Sequence, residues 1–165
     1  MNDFGMIGKL FKNNNAICLI RQVDSFNGLD KQIDYQIEDE FPQAIKKQLA
    51  FLKKSLKNNK TVGGKVLYTP KDSWGELLVK DNKVEKYDND YGFIATAFVN
   101  PYPSDLFILL TELEKALKDI KENLTGLEGN IIIPQRFGYS YSDAEWKKME
   151  EVIKNTFNDR EIIFF

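Results

Sequence analysis

The residues whose types and spacing offer most chemistry lie in one run, Ile131 to Trp146, which reads IIIPQRFGYSYSDAEW. Arg136 is the only cation in it. A guanidinium there can pair with a phosphate, or with a carboxylate such as Asp24 across a cleft. Tyr139 and Tyr141 flank Ser140, a set able to stack on a planar ring and hydrogen-bond around it. Paired loop tyrosines also serve as packing residues, and both readings stand. The chain contains no histidine, which removes His-based triads and most zinc sites. Acid–base chemistry would fall to Asp, Glu, Lys, Tyr or water.

The elements that must position this run follow from its ends. Three isoleucines between Gly129 and Pro134 suit a short strand buried on both faces. Pro134 cannot donate to a ladder, Gly138 permits an unusual turn, and Ser142 or Asp143 can cap a helix from Ala144 to Phe157. Trp146 belongs to the core stripe that Met149, Val152, Ile153 and Phe157 continue. A loop between the carboxyl end of a buried strand and a helix amino terminus is where open α/β sheets bind ligands.

Upstream, Phe4–Phe11 and Ala16–Val23 read as two strands separated by KNNN. A helical stretch follows in which Ile33, Ile37, Phe41, Ile45 and Leu49 recur every three or four residues, with Pro42 dividing it in two. Its lysines from Lys46 to Lys60 read as a solvated face. KVLYTP is a further strand, Asp81-Asn82 signals a hairpin, and Tyr91–Val99 is another buried strand. Ser104 or Asp105 caps a helix whose stripe runs from Leu106 to Leu124, and Glu161–Phe165 closes the sheet, burying its phenylalanines. Strands alternating with helices predict an α/β fold, a mixed central sheet with helices on both faces.

The totals narrow the function. The chain's 165 residues are expected to form one domain, 1–165, a size that buries roughly 70% of its unfolded surface. A net charge of −2 leaves no basic footprint, so nucleic acid is not an expected partner. Cys18, the lone cysteine, reads as a small buried hydrophobe. There is no signal peptide and no membrane-spanning run, which predicts a cytoplasmic protein. No cofactor and no metal are expected.

At this point the residues resemble a family. The order of elements is similar to the macro domain, and the local strings to its short phage and TARG-like branch. There the second strand and its loop commonly read H-Q-V-N-C-F-G-V-M-G-A-G-x-A-x-Q-I, with Y-P before the next helix. RQVDSFNGLDKQIDYQIEDEFP aligns to it without a gap, matching at Gln22, Val23, Phe26, Ile33, Gln36, Ile37, Phe41 and Pro42. The branch's closing I-P-Y-G-I-G-C-G-L-G-G-G-D-W has the spacing of Pro134 to Trp146, with Gly138 retained. The resemblance covers essentially the whole chain and implies a three-layer α/β/α sandwich that binds ADP-ribose or a related nucleotide.

It also assigns a site. The first loop would contribute Asp24, Ser25, Phe26, Asn27, Gly28 and Lys31, and the second Arg136, Phe137, Gly138, Tyr139, Ser140, Tyr141 and Ser142. Phe26 is a stacking surface or a core plug. The departures bear on chemistry. The acid that reads adenine, at the end of the family's first strand, is Lys9 here. The ribose-binding Asn is Asp24, and the diphosphate loops keep only Gly28 and Gly138. Asp24 and Asp30 would stand where a ribose and a pyrophosphate belong, with Lys31 offsetting Asp30. At an effective dielectric near 20, a like charge about 4–8 Å away costs about 2–4 kcal/mol, roughly 30- to 1,000-fold in affinity. TARG-like hydrolases use a lysine after the fourth strand and an acid in the last loop. Thr96, Ala97 and Phe98 stand at the first position, Ser142 and Asp143 at the second. The expected function is therefore nucleotide or ADP-ribose-metabolite binding without the usual hydrolysis. The alternatives are a hydrolase or phosphatase using relocated Asp24, Asp30 or Asp143, and a protein-interaction module with a vestigial cleft.

Overall fold

The computed structural model describes residues 5–24, 31–70, 79–84 and 92–165. Its sheet is built outward from β1 (Ala16–Val23), where seven of eight residues are buried. A strand shielded on both faces needs apolar residues at nearly every position, and AICLI supplies them. β1 pairs in parallel with β5 (Phe93–Phe98) on one side and with β6 (Asn130–Ile133) on the other. Beyond these lie β2 (Val66–Pro70), antiparallel to β5, and β7 (Ile162–Phe164), parallel to β6. The order is β2-β5-β1-β6-β7.

The expected hairpin joins β3 (Val79–Lys80) to β4 (Lys83–Val84). Its turn residues Asp81 and Asn82 have φ of 51° and 56°, the left-handed pair that a type I′ turn requires. The Asn82 side chain accepts from the Tyr68 amide at 3.1 Å and donates to the Val66 carbonyl at 2.8 Å. It thereby covers part of the outer edge of β2, which would otherwise offer unpaired backbone.

Side-chain alternation sorts the core into two layers, one on each face of the sheet. Leu19, Ile94 and Ile132 meet α1 (Met6–Asn13), α2 (Gln32–Glu40) and α3 (Pro42–Lys57) through Ile7, Phe11, Ile37 and Ile45. Ile20, Ala95, Ile131 and Ile133 meet α4 (Leu106–Asn123) and α5 (Asp143–Thr156) through Leu113, Leu117, Met149, Ile153 and Trp146. The three-layer α/β/α sandwich is the architecture expected from the sequence. Pro42 begins α3, and Asp105 caps α4 by accepting from the Phe107 amide at 2.9 Å. Cys18 is wholly buried, and burial pushes its thiol up to about 12.

Two expectations need correction. Phe4–Phe11 is expected to be a strand; Met6 to Phe11 belong to α1 instead. Ile7 and Phe11 are four apart and both buried, a helical spacing, and the Glu40 carboxylate accepts the Ile7 and Gly8 amides at 3.1 and 3.2 Å. That distant cap satisfies two of the orphan donors at the helix start. Lys9, expected at the end of a first strand, is exposed on this helix. The second correction is partial. β7 pairs in the sheet, but Phe164 and Phe165 are only half-buried, because β7 is an edge strand. Among the described residues no helix is long and apolar enough to cross a membrane.

Candidate functional site

β1 stays paired with β5 as far as Val23 opposite Phe98, yet its pairing with β6 ends at Leu19 opposite Ile132. The helices that follow, α2 after β1 and α5 after β6, pack on opposite faces of the sheet. Parallel strands that part in this way open a crevice at their carboxyl ends, the usual ligand position in open sheets. Lys31, the residue that precedes α2, reaches into it. Its side chain is 5% exposed, and its ammonium donates to the carbonyls of Gln22 and Phe137, the latter at 3.2 Å. The same ammonium stands 4.2 Å from the centre of the Tyr139 ring and 3.9 Å from Asp34 Oδ1.

The far wall is the turn Gln135–Gly138, where Arg136, Phe137 and Gly138 have φ of 52°, 54° and 82°. Left-handed backbone costs a non-glycine residue about 1–2 kcal/mol, so contacts must hold it. The Phe137 ring is buried against Trp146 at 5.9 Å, edge to face. The Gln135 amide donates to the Phe165 carbonyl at 2.7 Å. Arg136 donates to the Tyr141 carbonyl and to the Asp143 carboxylate. Gly138 has a second reason to be glycine: a Cβ there would stand 3.2 Å from Lys31 Cδ.

Aromatic rings form the rim. Tyr102 is 61% exposed, and its hydroxyl accepts from the Ser140 amide at 3.1 Å. Its ring lies 5.8 Å from that of Tyr139 and 6.0 Å from that of Tyr141. Tyr141 is turned inward, its hydroxyl 2.7 Å from Gln22 Nε2, while Gln22 also donates to the Val99 carbonyl at 3.0 Å. Burial raises the Tyr141 phenol above its ordinary value. The sequence does not single out Tyr102. The signal that marks it is positional, since it, like the final loop, follows the carboxyl end of a buried strand.

Behind the crevice, on the α2 and α3 side, lies a buried polar cluster not anticipated from the sequence. Arg21, with no exposed side-chain surface, donates to Asp34 at 2.8 Å, Gln48 at 2.8 Å and Thr96 at 3.3 Å. Asp34 is equally buried and accepts from the Lys31 amide at 3.1 Å. A charge of each sign at positions that periodicity buries, Arg21 in a core strand and Asp34 beside Ile33 and Ile37, is the pattern that points to it.

The remaining candidates separate. Asp24 follows β1 directly and is half-buried. Ser25, Phe26, Asn27, Gly28 and Asp30 lie outside the described residues. Arg136 meets Asp143 rather than a group across the cleft, and the Asp143 side chain is 94% exposed. Phe137 presents its carbonyl to the crevice and its ring to the core. Ser140 is exposed, and Ser142 caps α5 in a reciprocal box, accepting from the Glu145 amide at 3.2 Å. The Ser142 amide holds the Glu145 carboxyl below its usual range.

No family model and no curated protein matches the chain by sequence. Solved structures match it by fold. The macrodomain of Thermus aquaticus DarG superposes with a TM-score of 0.59 at 14% identity, over 94% of this chain and 92% of that one. A macrodomain protein from Streptomyces coelicolor gives 0.63 at 14% identity, over 92% and 88%. Thermosipho africanus DarTG, solved in complex with ADP-ribose, gives 0.55 at 14% identity, over 91% of this chain and 38% of that one. The chain therefore has the macrodomain fold, and at these identities the likeness is one of fold.

Proposed function

We propose that this chain is a one-domain, macrodomain-type binding module of the phage or TARG-like branch, holding a nucleotide or ADP-ribose-derived metabolite without hydrolysing it. The observation that carries the reading is that β1 and β6 part beyond Leu19 and Ile132, with Lys31, Tyr102 and Tyr139 gathered at their carboxyl ends, where open α/β folds take ligands. That the same fold, in Thermosipho africanus DarTG, was solved with ADP-ribose supports the ligand class. Two features favour binding over turnover. Thr96, at the strand position where the resemblance calls for a lysine, is buried and bonded to Arg21. Asp143, the acid of the final loop, faces solvent in an ion pair with Arg136.

Calorimetry with ADP-ribose, AMP and adenosine tests the reading. Heat is expected with at least one of them, and Tyr102→Ala should weaken it by roughly three- to tenfold, the loss of one aromatic contact. No heat with any of the three overturns the binding reading. Release of ADP-ribose from a modified protein overturns its non-catalytic half. A protein-docking role is a second reading, favoured by Phe107 and Ile108, which are 72% and 43% exposed on the first turn of α4.

A further inference from the structure

The floor of the crevice is made of acceptors, and the chain itself supplies what they accept. The carbonyls of Gln22 and Phe137 both take a hydrogen bond from Lys31, and the Tyr139 ring lies over the ammonium at 4.2 Å. The aliphatic stem takes up room as well, packing so close to Gly138 that a Cβ there would stand 3.2 Å from Lys31 Cδ. Carbonyl oxygens and a ring face attract donors and cations, such as a sugar hydroxyl, an amine or an ammonium. They repel phosphate oxygens. The electrostatic character of this floor is thus the reverse of an anion cradle built from converging amides.

Resting on the binding reading above for its ligand, we propose that Lys31 is the specificity-determining residue of the crevice. Its side chain occupies the donor-seeking floor between β1 and β6. A ribose-bearing ligand is therefore held on the outer rim by Tyr102 and Tyr139, and its hydroxyls are not read between the strands. The stem and the charge act separately: the stem excludes, and the ammonium satisfies the two carbonyls.

Two substitutions separate them. Lys31→Met keeps most of the stem and removes the charge, whereas Lys31→Ala removes both and opens the floor to hydroxyl donors. In calorimetry Lys31→Ala is expected to bind ADP-ribose at least about tenfold more tightly than Lys31→Met, while adenine, which lacks ribose, binds both alike. Equal affinities of the two variants for ADP-ribose overturn the proposal. So does a matched loss in both relative to the unsubstituted chain, because the ammonium would then grip the ligand itself. A ligand-independent arm uses n-butylammonium chloride, which should raise the Tm of Lys31→Ala but not of Lys31→Met or the unsubstituted chain. Absence of that rise shows that the floor is not an ammonium site and also overturns the proposal. If no protein in the series binds ADP-ribose, adenosine or AMP, the binding reading fails, and the butylammonium melt decides the nature of the floor alone.

Discussion

Arg21 and Gln22 are consecutive, polar and without exposed surface, yet the two sides of the strand treat them differently. Arg21 points toward α2 and α3, where a carboxylate, an amide oxygen and a hydroxyl receive its guanidinium. Gln22 points toward the final loop, where its partners are the Tyr141 hydroxyl and the Val99 carbonyl, all neutral. The charged side fastens two helices to the sheet. The neutral side fastens the two loops that form the rim, after β5 and after β6. A buried charge that loses its partner costs several kcal/mol, whereas an unpaired neutral group costs less. The same strand therefore carries a costly anchor for the scaffold and a milder one for the candidate site.

The largest effect should come from breaking the charged anchor. Asp34→Ala leaves Arg21 buried without its carboxylate and should cost about 3–5 kcal/mol in urea unfolding. The double variant Arg21→Met with Asp34→Leu should recover most of that loss, because neither charge then remains to be desolvated. If Asp34→Ala costs no more than an ordinary surface change, the contrast between the two sides disappears. Next comes the neutral anchor. Gln22→Met should cost about 1–3 kcal/mol by orphaning the Tyr141 hydroxyl and the Val99 carbonyl, and it should weaken ligand binding.

The smallest effect at neutral pH, and the most diagnostic on the alkaline side, belongs to Tyr141→Phe, about 1 kcal/mol. Burial raises the folded-state pKa of this phenol above 10.0. Its contribution is therefore whole below pH 10 and falls as the pH rises above it, because the unfolded chain ionises first. In Tyr141→Phe the stability lost per pH unit in that range should shrink by about 1.4 kcal/mol. A residual alkaline slope should remain from Tyr68, whose phenol is raised by burial and by its bond to Asp119. An unchanged slope would show that the Gln22 side is wetter than its geometry implies.

Much of the fold was legible in the sequence. AICLI, FIATAF and III announced the three central strands because a doubly covered strand leaves no polar alternation to blur it. The stripe of α4, the break at Pro42, the hairpin at Asp81-Asn82 and the cap at Ser142 were equally local signals. The run Phe4–Phe11 misled because short apolar stretches fit either period, and the deciding contact, from Glu40 to the amides of Ile7 and Gly8, lies more than 30 positions away. Within the candidate site the sequence singles out Lys31, Arg136, Tyr139 and Tyr141, but not the distant partners the structure gives them, such as Gln22 for Tyr141 and the Phe137 carbonyl for Lys31.

By itself, then, the sequence determined most of the strands and helices and where they turn, with the run Phe4–Phe11 as the exception. The tertiary structure alone decided that Lys31 fills the crevice, that Arg21 finds Asp34, and that Tyr102 joins the rim. Local pattern follows from the neighbours of a residue along the chain. Which polar groups pair inside depends on contacts separated by 13 residues for Arg21 and Asp34, 75 for Arg21 and Thr96, and 106 for Lys31 and Phe137, and those exist only once the sheet has been assembled.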